Sequence, residues 1–346
     1  MSAFSPLISV CIPAYNRARH LPALLESILS QDFRNFEIVI CEDRSPDRDA
    51  ISRIVAEYAQ QRPGVIQYFE NAKNMGYDAN LRELVARSRG RFCFFMGNDD
   101  LMCPHALRYT ADLISRYENL GVILKSYSWF EGTPDRIVQT VHYFPEEKYL
   151  SPGAEAISIC FRRSGVISGY IVDREEAQKA ATANFDGSLY YQMHLTASVL
   201  SSKFAVATPV VLVLCRDGEA PDFGHSDSEV QKYTPGGYTP EARLNMISGA
   251  LSIIRGLRDR TGIDLVDPVT RDYAKHFYPC IRDQLSQPLG KYIKMCRGFS
   301  RLGFYRYPSF YFYCVVSYVL GQRRCDACIK QVRQLLRHSP RWGTAR

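Results

Sequence analysis

Short apolar segments alternate with helical apolar stripes through the first 125 or so residues, which leaves few folds open to the chain. The apolar segments lie at residues 7–12, 36–41, 65–69, 92–96 and 121–125. Between them, apolar residues recur at helical spacing, as at Leu21, Leu24, Leu25 and Ile28. Such an alternation predicts an α/β domain with a mostly parallel sheet and helices on both faces. Ligands of such sheets bind at the carboxyl ends of the strands.

The pattern changes in the second half of the chain. Residues 168–172 and 206–214 could form further strands, whereas residues 216–240 are polar and rich in Gly and Pro. A loop of that length is usually a lid or a disordered segment. From Pro240 onward the apolar spacing is helical. We therefore expect an α/β domain at residues 1–239 and a helical region at residues 240–346.

The expected strand ends are polar, and they lack two familiar phosphate-binding motifs. They read Pro13 to Arg17, Glu42 to Asp47, Glu70 to Gly76 and Gly97 to Asp100. Neither GxxxxGK[ST] nor GxGxxG follows the first strand. This argues against a P-loop NTPase and against an ordinary dinucleotide-binding dehydrogenase.

Two adjacent carboxylates, Asp99 and Asp100, follow the apolar segment at residues 92–96. Adjacent acids repel each other, so they need a cation or strong hydrogen-bond donors nearby. A hard divalent cation bridging a diphosphate would meet that need, because Mg²⁺ and Mn²⁺ prefer oxygen ligands. The alternative is a helix cap ahead of Pro104, where Asn and Asp are also favoured.

Four segments in this order resemble family 2 glycosyltransferases, which have the GT-A fold. They are Ile8 to Arg17, Phe36 to Asp47, Asn74 to Gly76 with Asn80, and Gly97 to Asp100 with Pro104 and Leu107. Within the family, the Gly-Asn-Asp-Asp segment is similar to bacterial O-antigen and polysaccharide transferases, including abequosyltransferase-like members. One departure is Gly97, where many members carry a further Asp.

The resemblance implies roles for individual residues. Tyr15 would stack near the base of a nucleotide sugar, and Asp43 would accept a hydrogen bond from a pyrimidine ring. Asp99 would lie by the ribose and the metal, and Asp100 would bind Mn²⁺ or Mg²⁺. The expected nucleotide-binding residues are Pro13, Ala14, Tyr15, Asn16, Arg17, Asp43, Asn74, Asn80, Asn98 and Asp99.

Three further residues complete the expected site. The resemblance implies that Asp186 takes the proton of the acceptor hydroxyl as general base, although a helix cap would also explain it; Asp173, Asp217 and Asp222 are the fallback candidates. His225 could supply an extra metal or diphosphate contact, or be a solvated loop residue. Trp129 could stack on a sugar, or belong to the core.

The C-terminal segment is strongly basic and aromatic. Residues 291–346 contain twelve Lys or Arg and one acid, Asp326. Residues 310–320 are apolar and aromatic but too short to span a bilayer. A helix on an anionic membrane, with Phe310 and Tyr311 in the headgroups, would explain both features. A core helix with a solvated basic face is the alternative, and no nucleic-acid-binding motif accompanies the charge.

Together these features predict a metal-dependent, inverting glycosyltransferase of the hexosyltransferase type. It would move a sugar from a nucleotide-sugar donor to a lipid-linked or polysaccharide acceptor, as in O-antigen and lipopolysaccharide biosynthesis. Eleven cysteines without a disulfide pattern, and no signal peptide at residues 1–6, favour a cytoplasmic, peripheral location on the inner membrane face. The alternatives are a sugar nucleotidyltransferase and a catalytically silent membrane scaffold. A second copy of the chain is a further candidate partner.

Overall fold

The computed structural model describes residues 5–335, with side chains through Gln331. Ten strands form one sheet. They are β1 (Ile8–Ala14), β2 (Phe36–Glu42), β3 (Ile66–Glu70), β4 (Phe92–Phe95), β5 (Leu101–Met102), β6 (Leu120–Phe130), β7 (Ile137–Val141), β8 (Lys148–Leu150), β9 (Tyr170–Asp173) and β10 (Phe204–Arg216).

The described helices fall into two groups. Seven accompany the sheet: α1 (Leu21–Leu29), α2 (Arg48–Gln61), α3 (Tyr77–Arg87), α4 (Ala106–Arg116), α5 (Ala154–Cys160), α6 (Arg174–Lys179) and α7 (Tyr191–Val199). Five follow it: α8 (Pro240–Thr261), α9 (Val266–Lys275), α10 (Tyr278–Ile281), α11 (Leu289–Arg301) and α12 (Pro308–Leu335).

The strand order is β3-β2-β1-β4-β9-β6-β10-β5, with β7 beside β6 and β8 beside β10. Strands β1 to β4 are mutually parallel, as are β6 and β10, and β9 runs antiparallel between β4 and β6. The chain leaves β1 toward β2 and β3, then crosses back to place β4 on the other side of β1. This reversal creates a switch point at the carboxyl ends of β1 and β4, where ligands of such sheets bind.

The five strands expected in the first 125 residues are all present, which confirms the α/β prediction. β1, β2 and β4 are buried almost throughout, as expected for central parallel strands covered on both faces. β9 and β10 confirm the two further strands. The apolar pattern did not predict β5, β7 and β8. These three strands are short and pair antiparallel to their neighbours.

The helical C-terminal extension is also present. Its first helix, α8, has Pro240 in its first turn and Thr239 as N-cap, whose hydroxyl accepts from the N–H of Ala242 at 3.1 Å. Buried residues of α8 to α12 belong to the same apolar core as the sheet. A division into two domains after residue 239 stays a prediction. Among residues 5–335, no helix is both long enough and apolar enough to cross a membrane.

Candidate active site

A cavity of about 300 Å³ opens at the switch point between β1 and β4. Ten of the residues predicted for the site line it: Pro13, Tyr15, Arg17, Asp43, Asn74, Asn80, Asn98, Asp99, Asp100 and His225. Asn16 lies in the wall of a neighbouring cavity, which shares Arg17. Ala14 is buried as the last residue of β1. The strand ends thus meet as the parallel topology requires.

The chain turns sharply after β1 because Asn16 and Arg17 both have left-handed backbones, with φ of 53° and 60°. This region is uncommon for residues other than Gly and is most frequent at Asn and Asp, so Arg17 is under backbone strain. The Asn98 amide holds the turn by donating to the carbonyl of Asn16 at 2.8 Å. As a result the Arg17 guanidinium reaches Asp99 Oδ2 and the carbonyl of Ala220, each at 2.7 Å.

Asp43, just after β2, is held by three hydrogen bonds. Its Oδ1 accepts from the Asn71 amide and from the N–H of Met75, both at 2.8 Å, and its Oδ2 accepts from the N–H of Gly76 at 2.9 Å. Burial raises the pKa of Asp43, although these three donors oppose the shift. A carboxylate can accept about four hydrogen bonds, so Oδ2 keeps capacity for a ligand donor.

The two acids after β4 have different partners. Asp99 pairs with Arg17, whereas Asp100 accepts from the hydroxyl of Ser168 and, at 2.7 Å, from the N–H of Arg216. Burial raises the pKa of Asp100 to about 7, and the neighbouring Asp99 charge adds to the shift. The cavity therefore concentrates negative charge that these donors balance incompletely.

A divalent cation suits this pair chemically. Both residues offer the carboxylate oxygens that Mg²⁺ and Mn²⁺ prefer, and a cation would relieve the repulsion that raises the pKa of Asp100. His225 lines the same cavity. Within residues 5–335, however, no three His, Cys, Asp or Glu side chains converge as a protein-only metal site. Any cation here would need further ligands from the substrate or from water.

Comparison with known protein families gives a match in the first half of the chain. Residues 9–171 match the family model described as glycosyl transferase family 2. Over these residues, just under half of the chain, the protein is similar to glycosyltransferase family 2. This span contains the carboxyl ends of β1, β2 and β4, and with them every predicted nucleotide-binding residue.

Curated relatives carry glycosyltransferase names. The abequosyltransferase RfbV of Salmonella typhimurium is 34% identical over 101 residues, covering 29% of this chain and 30% of the relative. The putative glycosyltransferase EpsE of Bacillus subtilis is 27% identical over 148 residues, covering 43% and 52%. An uncharacterized Rickettsia bellii glycosyltransferase is 24% identical over 213 residues, 59% of this chain but 29% of that protein. The matched part of the chain thus spans 29% to 52% of the length of these relatives.

Solved structures agree on the fold. The crystal structure of residues 1–349 of S. aureus TarS in complex with UDP-GlcNAc has a TM-score of 0.53 and 16% sequence identity, and the match covers 91% of this chain and 92% of that one. The UDP complex of the same protein has a TM-score of 0.51. The chain therefore has the GT-A fold with a helical C-terminal extension.

The polar Gly/Pro-rich loop lies over the cavity and contains no described helix or regular strand; residues 217–239 are called the covering segment below. It lines the cavity through Asp222, Phe223 and His225, among others. Glu219 accepts from Arg19 at 2.8 Å, and Asp222 accepts from Asn16 at 3.2 Å. The segment therefore behaves as a cover rather than as a disordered loop.

Glu229, in the covering segment, lines the cavity and was not predicted from the sequence. It is buried, and it accepts from the N–H of Tyr77 at 2.8 Å and of Gly224 at 2.9 Å. Gly76 permits this docking: its φ is 87°, and a Cβ there would lie 2.4 Å from Ser226 Oγ. A lone Glu in a polar loop gives no local signal of such a contact.

Lys125, on β6, is a second residue that sequence analysis overlooked. Its side chain is buried, and Nζ donates to the carbonyl of Val166 at 2.6 Å. Burial lowers its pKa to about 8, while the nearby Asp100 charge acts in the opposite direction. In the sequence, Lys125 is the last residue of an otherwise apolar segment, and this position gives no sign that its side chain is buried.

The predicted base and sugar-stacking residues lie outside the cavity lining. Both carboxylate oxygens of Asp186 accept from the Arg82 guanidinium, at 2.6 and 2.8 Å. Trp129 lies on β6 in edge contact with Tyr127. The roles of Asp186 and Trp129 stay predictions.

The fallback acids are dispersed. Asp222 lines the cavity, Asp173 caps α6 by accepting from the N–H of Glu176 at 3.0 Å, and Asp217 accepts from the N–H of Gly218 at 3.0 Å.

Proposed function

We propose that the chain transfers a hexosyl group, with inversion, from a nucleotide sugar to a hydroxyl of a lipid-linked or polysaccharide acceptor in bacterial surface-glycan synthesis. One observation carries the proposal. Groups suited to a base, to a diphosphate and to a cation line a single cavity at the switch point of a family 2 domain. The abequosyltransferase relative supports the surface-glycan part.

The nucleotide base would lie between Tyr15 and the loop after β2. The Tyr15 ring is open to the cavity, and its neighbour on the covering segment is His225, with ring centroids 5.5 Å apart. Asp43 Oδ2 accepts one backbone N–H and has capacity for a donor of the base. The hydrogen bonds from Met75 and Gly76 fix the carboxylate, so little freedom is lost when a base binds.

The diphosphate would lie between Arg17 and the acid pair. The planar guanidinium of Arg17 suits phosphate oxygens. Its present partners are Asp99, the Ala220 carbonyl and, at 3.6 Å, Asp222. Asp99 and Asp100, with His225 as a third candidate, would hold Mn²⁺ or Mg²⁺. Such a cation would neutralise the charge that builds on the departing nucleoside diphosphate.

The sugar and the acceptor would occupy the apolar end of the cavity. The apolar and aromatic side chains of the cavity lining include those of Ile167, Leu189, Tyr190, Phe223 and Met246. Trp129 lies outside the lining, so Tyr190 and Phe223 are the aromatic rings available to a sugar face.

A carboxylate must take the proton of the acceptor hydroxyl as the diphosphate leaves. Asp186 is one candidate, but its two oxygens are engaged by Arg82. Asp222 is the other. It lines the cavity, and its side chain is 29% exposed. Its Oδ1 accepts from Asn16, and its Oδ2 lies 3.6 Å from Arg17 Nε, so it is held less tightly than Asp186 and keeps acceptor capacity. The geometry favours Asp222.

A thermal-shift panel of UDP-, GDP-, CDP- and dTDP-sugars, each with and without Mn²⁺, tests the proposal. We expect one nucleotide class to raise the melting temperature, and Mn²⁺ to increase that shift. Calorimetry on the selected pair would then give the affinity. Failure of every nucleotide sugar to shift the melting temperature in either condition would contradict a donor site.

A further inference from the structure

The first half of α12 carries an exposed apolar stripe. Phe312, Val315 and Val319 are 61%, 62% and 76% exposed. Their spacing places them on the face opposite Phe310 and Cys314, which are buried, because each residue advances about 100° around a helix. We predicted from the sequence that Phe310 inserts among lipid headgroups. This prediction was wrong, because the Phe310 ring packs against Phe277, with 5.0 Å between the ring centroids.

The neighbouring helix α11 carries a basic stripe. Lys294, Arg297 and Arg301 are exposed, and the spacing places them opposite the buried Tyr292 and Phe299. Leu289 and Ile293, also exposed, adjoin the stripe. Of the thirteen large exposed apolar side chains in the described residues, seven lie between residues 289 and 319.

The two stripes belong to one surface, which we call the α11–α12 surface. The helices pack side by side through Tyr292, whose ring lies 4.5 Å from that of Tyr318 and whose hydroxyl donates to the carbonyl of Cys314 at 2.9 Å. Helix α11 also packs on α8, and α12 packs on α9, so both turn their buried faces toward the body of the protein. Their opposite faces therefore point outward.

Among residues 5–331, no acid forms an ion pair with Lys294, Arg297 or Arg301 of this surface. Asp326 is the one acid after Gly290, and it faces inward, where its Oδ2 accepts from Arg282 Nη2 at 2.7 Å and its Oδ1 accepts from the Tyr278 hydroxyl at 2.7 Å. Eight Lys or Arg between residues 291 and 331 are exposed. The Arg333 side chain, Arg337, Arg341 and Arg346 lie outside what the structure describes.

We infer that the α11–α12 surface binds an anionic lipid bilayer. An apolar stripe beside basic side chains matches the acyl boundary and the headgroups of such a bilayer. A symmetric dimer through the same surface would place basic stripe against basic stripe, because a two-fold interface pairs a patch with itself. Residues 336–346 contain three Arg and no acid, so they do not complement the surface either.

Co-sedimentation of the full chain with vesicles tests this inference without any donor or acceptor. Vesicles of phosphatidylcholine alone are compared with vesicles containing a third phosphatidylglycerol, at low and at high salt. Two variants probe the stripes: Phe312→Ser with Val315→Ser and Val319→Ser, and Lys294→Glu with Arg297→Glu and Arg301→Glu. Matched controls are Ile137→Ser with Val138→Ser, and Arg53→Glu with Arg62→Glu and Arg91→Glu, all at exposed positions elsewhere.

We expect anionic vesicles to bind the wild type and both controls, and salt to weaken the binding. The charge variant should lose at least about a hundredfold in partitioning, because each basic residue near the surface contributes roughly fivefold. The apolar variant should lose binding while keeping its melting temperature, since these side chains face outward. Equal binding to neutral vesicles, equal loss in the controls, or a salt-resistant dimer that the apolar variant dissociates would overturn the inference.

Discussion

The carboxylate of Glu229 accepts a hydrogen bond from the backbone N–H of Tyr77, at the first residue of α3, over 2.8 Å. Its other oxygen accepts from the N–H of Gly224, within the covering segment. One side chain thus fastens the covering segment to α3, the helix that follows the loop whose Met75 and Gly76 N–H groups bind Asp43. The helix N-terminus favours a negative group, because its first N–H groups lack intrahelical partners.

Replacing Glu229 by Gln should loosen this attachment. The amide NH₂ would face a backbone N–H, so one of the two hydrogen bonds is lost and a buried donor is left without an acceptor. We expect a loss of about 1–3 kcal/mol in the free energy of unfolding, measured with urea, and a raised KM for the donor. Asp227→Asn, at an exposed position of the same segment, is the control. An unchanged KM in Glu229→Gln would show that the attachment does not serve donor binding.

Arg17 should decide affinity for the diphosphate. Arg17→Ala removes the guanidinium that lies between Asp99 and the Ala220 carbonyl. Loss of hydrogen bonds to a charged group should weaken binding of the nucleoside diphosphate about ten- to a hundredfold by calorimetry. The matched control is Arg19→Ala, because Arg19 is two residues away, pairs with Glu219 and lies outside the main cavity. Similar losses in both variants would point to general charge rather than to a phosphate contact.

Asp100 should make the stability of the metal-free protein depend on pH. Its pKa in the folded protein is about 7, against 3.8 for an ordinary Asp. Between these values the folded state holds a proton that the unfolded chain has released, so this group's contribution to stability falls as pH rises through that window. Asp100→Asn removes the titration. In EDTA, the variant should therefore gain melting temperature relative to wild type at pH 7.5 but not at pH 4.

A divalent cation should offset the loss of stability that ionised Asp100 causes at pH 7.5, and it should do so in the wild type only. Mn²⁺ would compensate the charge of Asp99 and Asp100 at pH 7.5, and it should raise the melting temperature of wild type more than that of Asp100→Asn. Asp227→Asn should respond like wild type. If EDTA and Mn²⁺ leave the nucleotide affinity of wild type equal, the site does not use a divalent cation.

The parts of the fold that have a local sequence pattern could be predicted. β1, β2 and β4 are continuous apolar segments, so their number and direction follow from spacing alone. The position of β9 does not, because it inserts antiparallel between β4 and β6, partners distant in sequence. β7 is half exposed and β5 has two residues, so neither has a periodic signal.

For the site too, residues with a local sequence pattern could be predicted and residues placed by long-range contacts could not. Tyr15, Asp43 and Asp99 follow predicted strands directly, and parallel strands must end at one edge of the sheet. Glu229 reaches the cavity only because the covering segment docks on α3, a contact between residues 152 positions apart. Asp186 precedes a helix as expected, but a partner from α3, Arg82, determines where its carboxylate points. Neither contact has a local signature.

Substitutions of Asp222, Asp186 and Arg82 distinguish the two candidate bases. Asp222→Asn keeps an oxygen that can accept from the Asn16 amide, so the covering segment should stay in place while the base is lost. We expect kcat to fall by roughly 10²–10⁴-fold, the usual contribution of general base catalysis, with little change in donor affinity. Asp186→Asn should instead lower the melting temperature, as should Arg82→Met, because each leaves its partner's charge partly buried without its ion pair. If Asp186→Asn loses kcat on this scale while Arg82→Met keeps it, the ion pair is not the reason and the proton goes to Asp186.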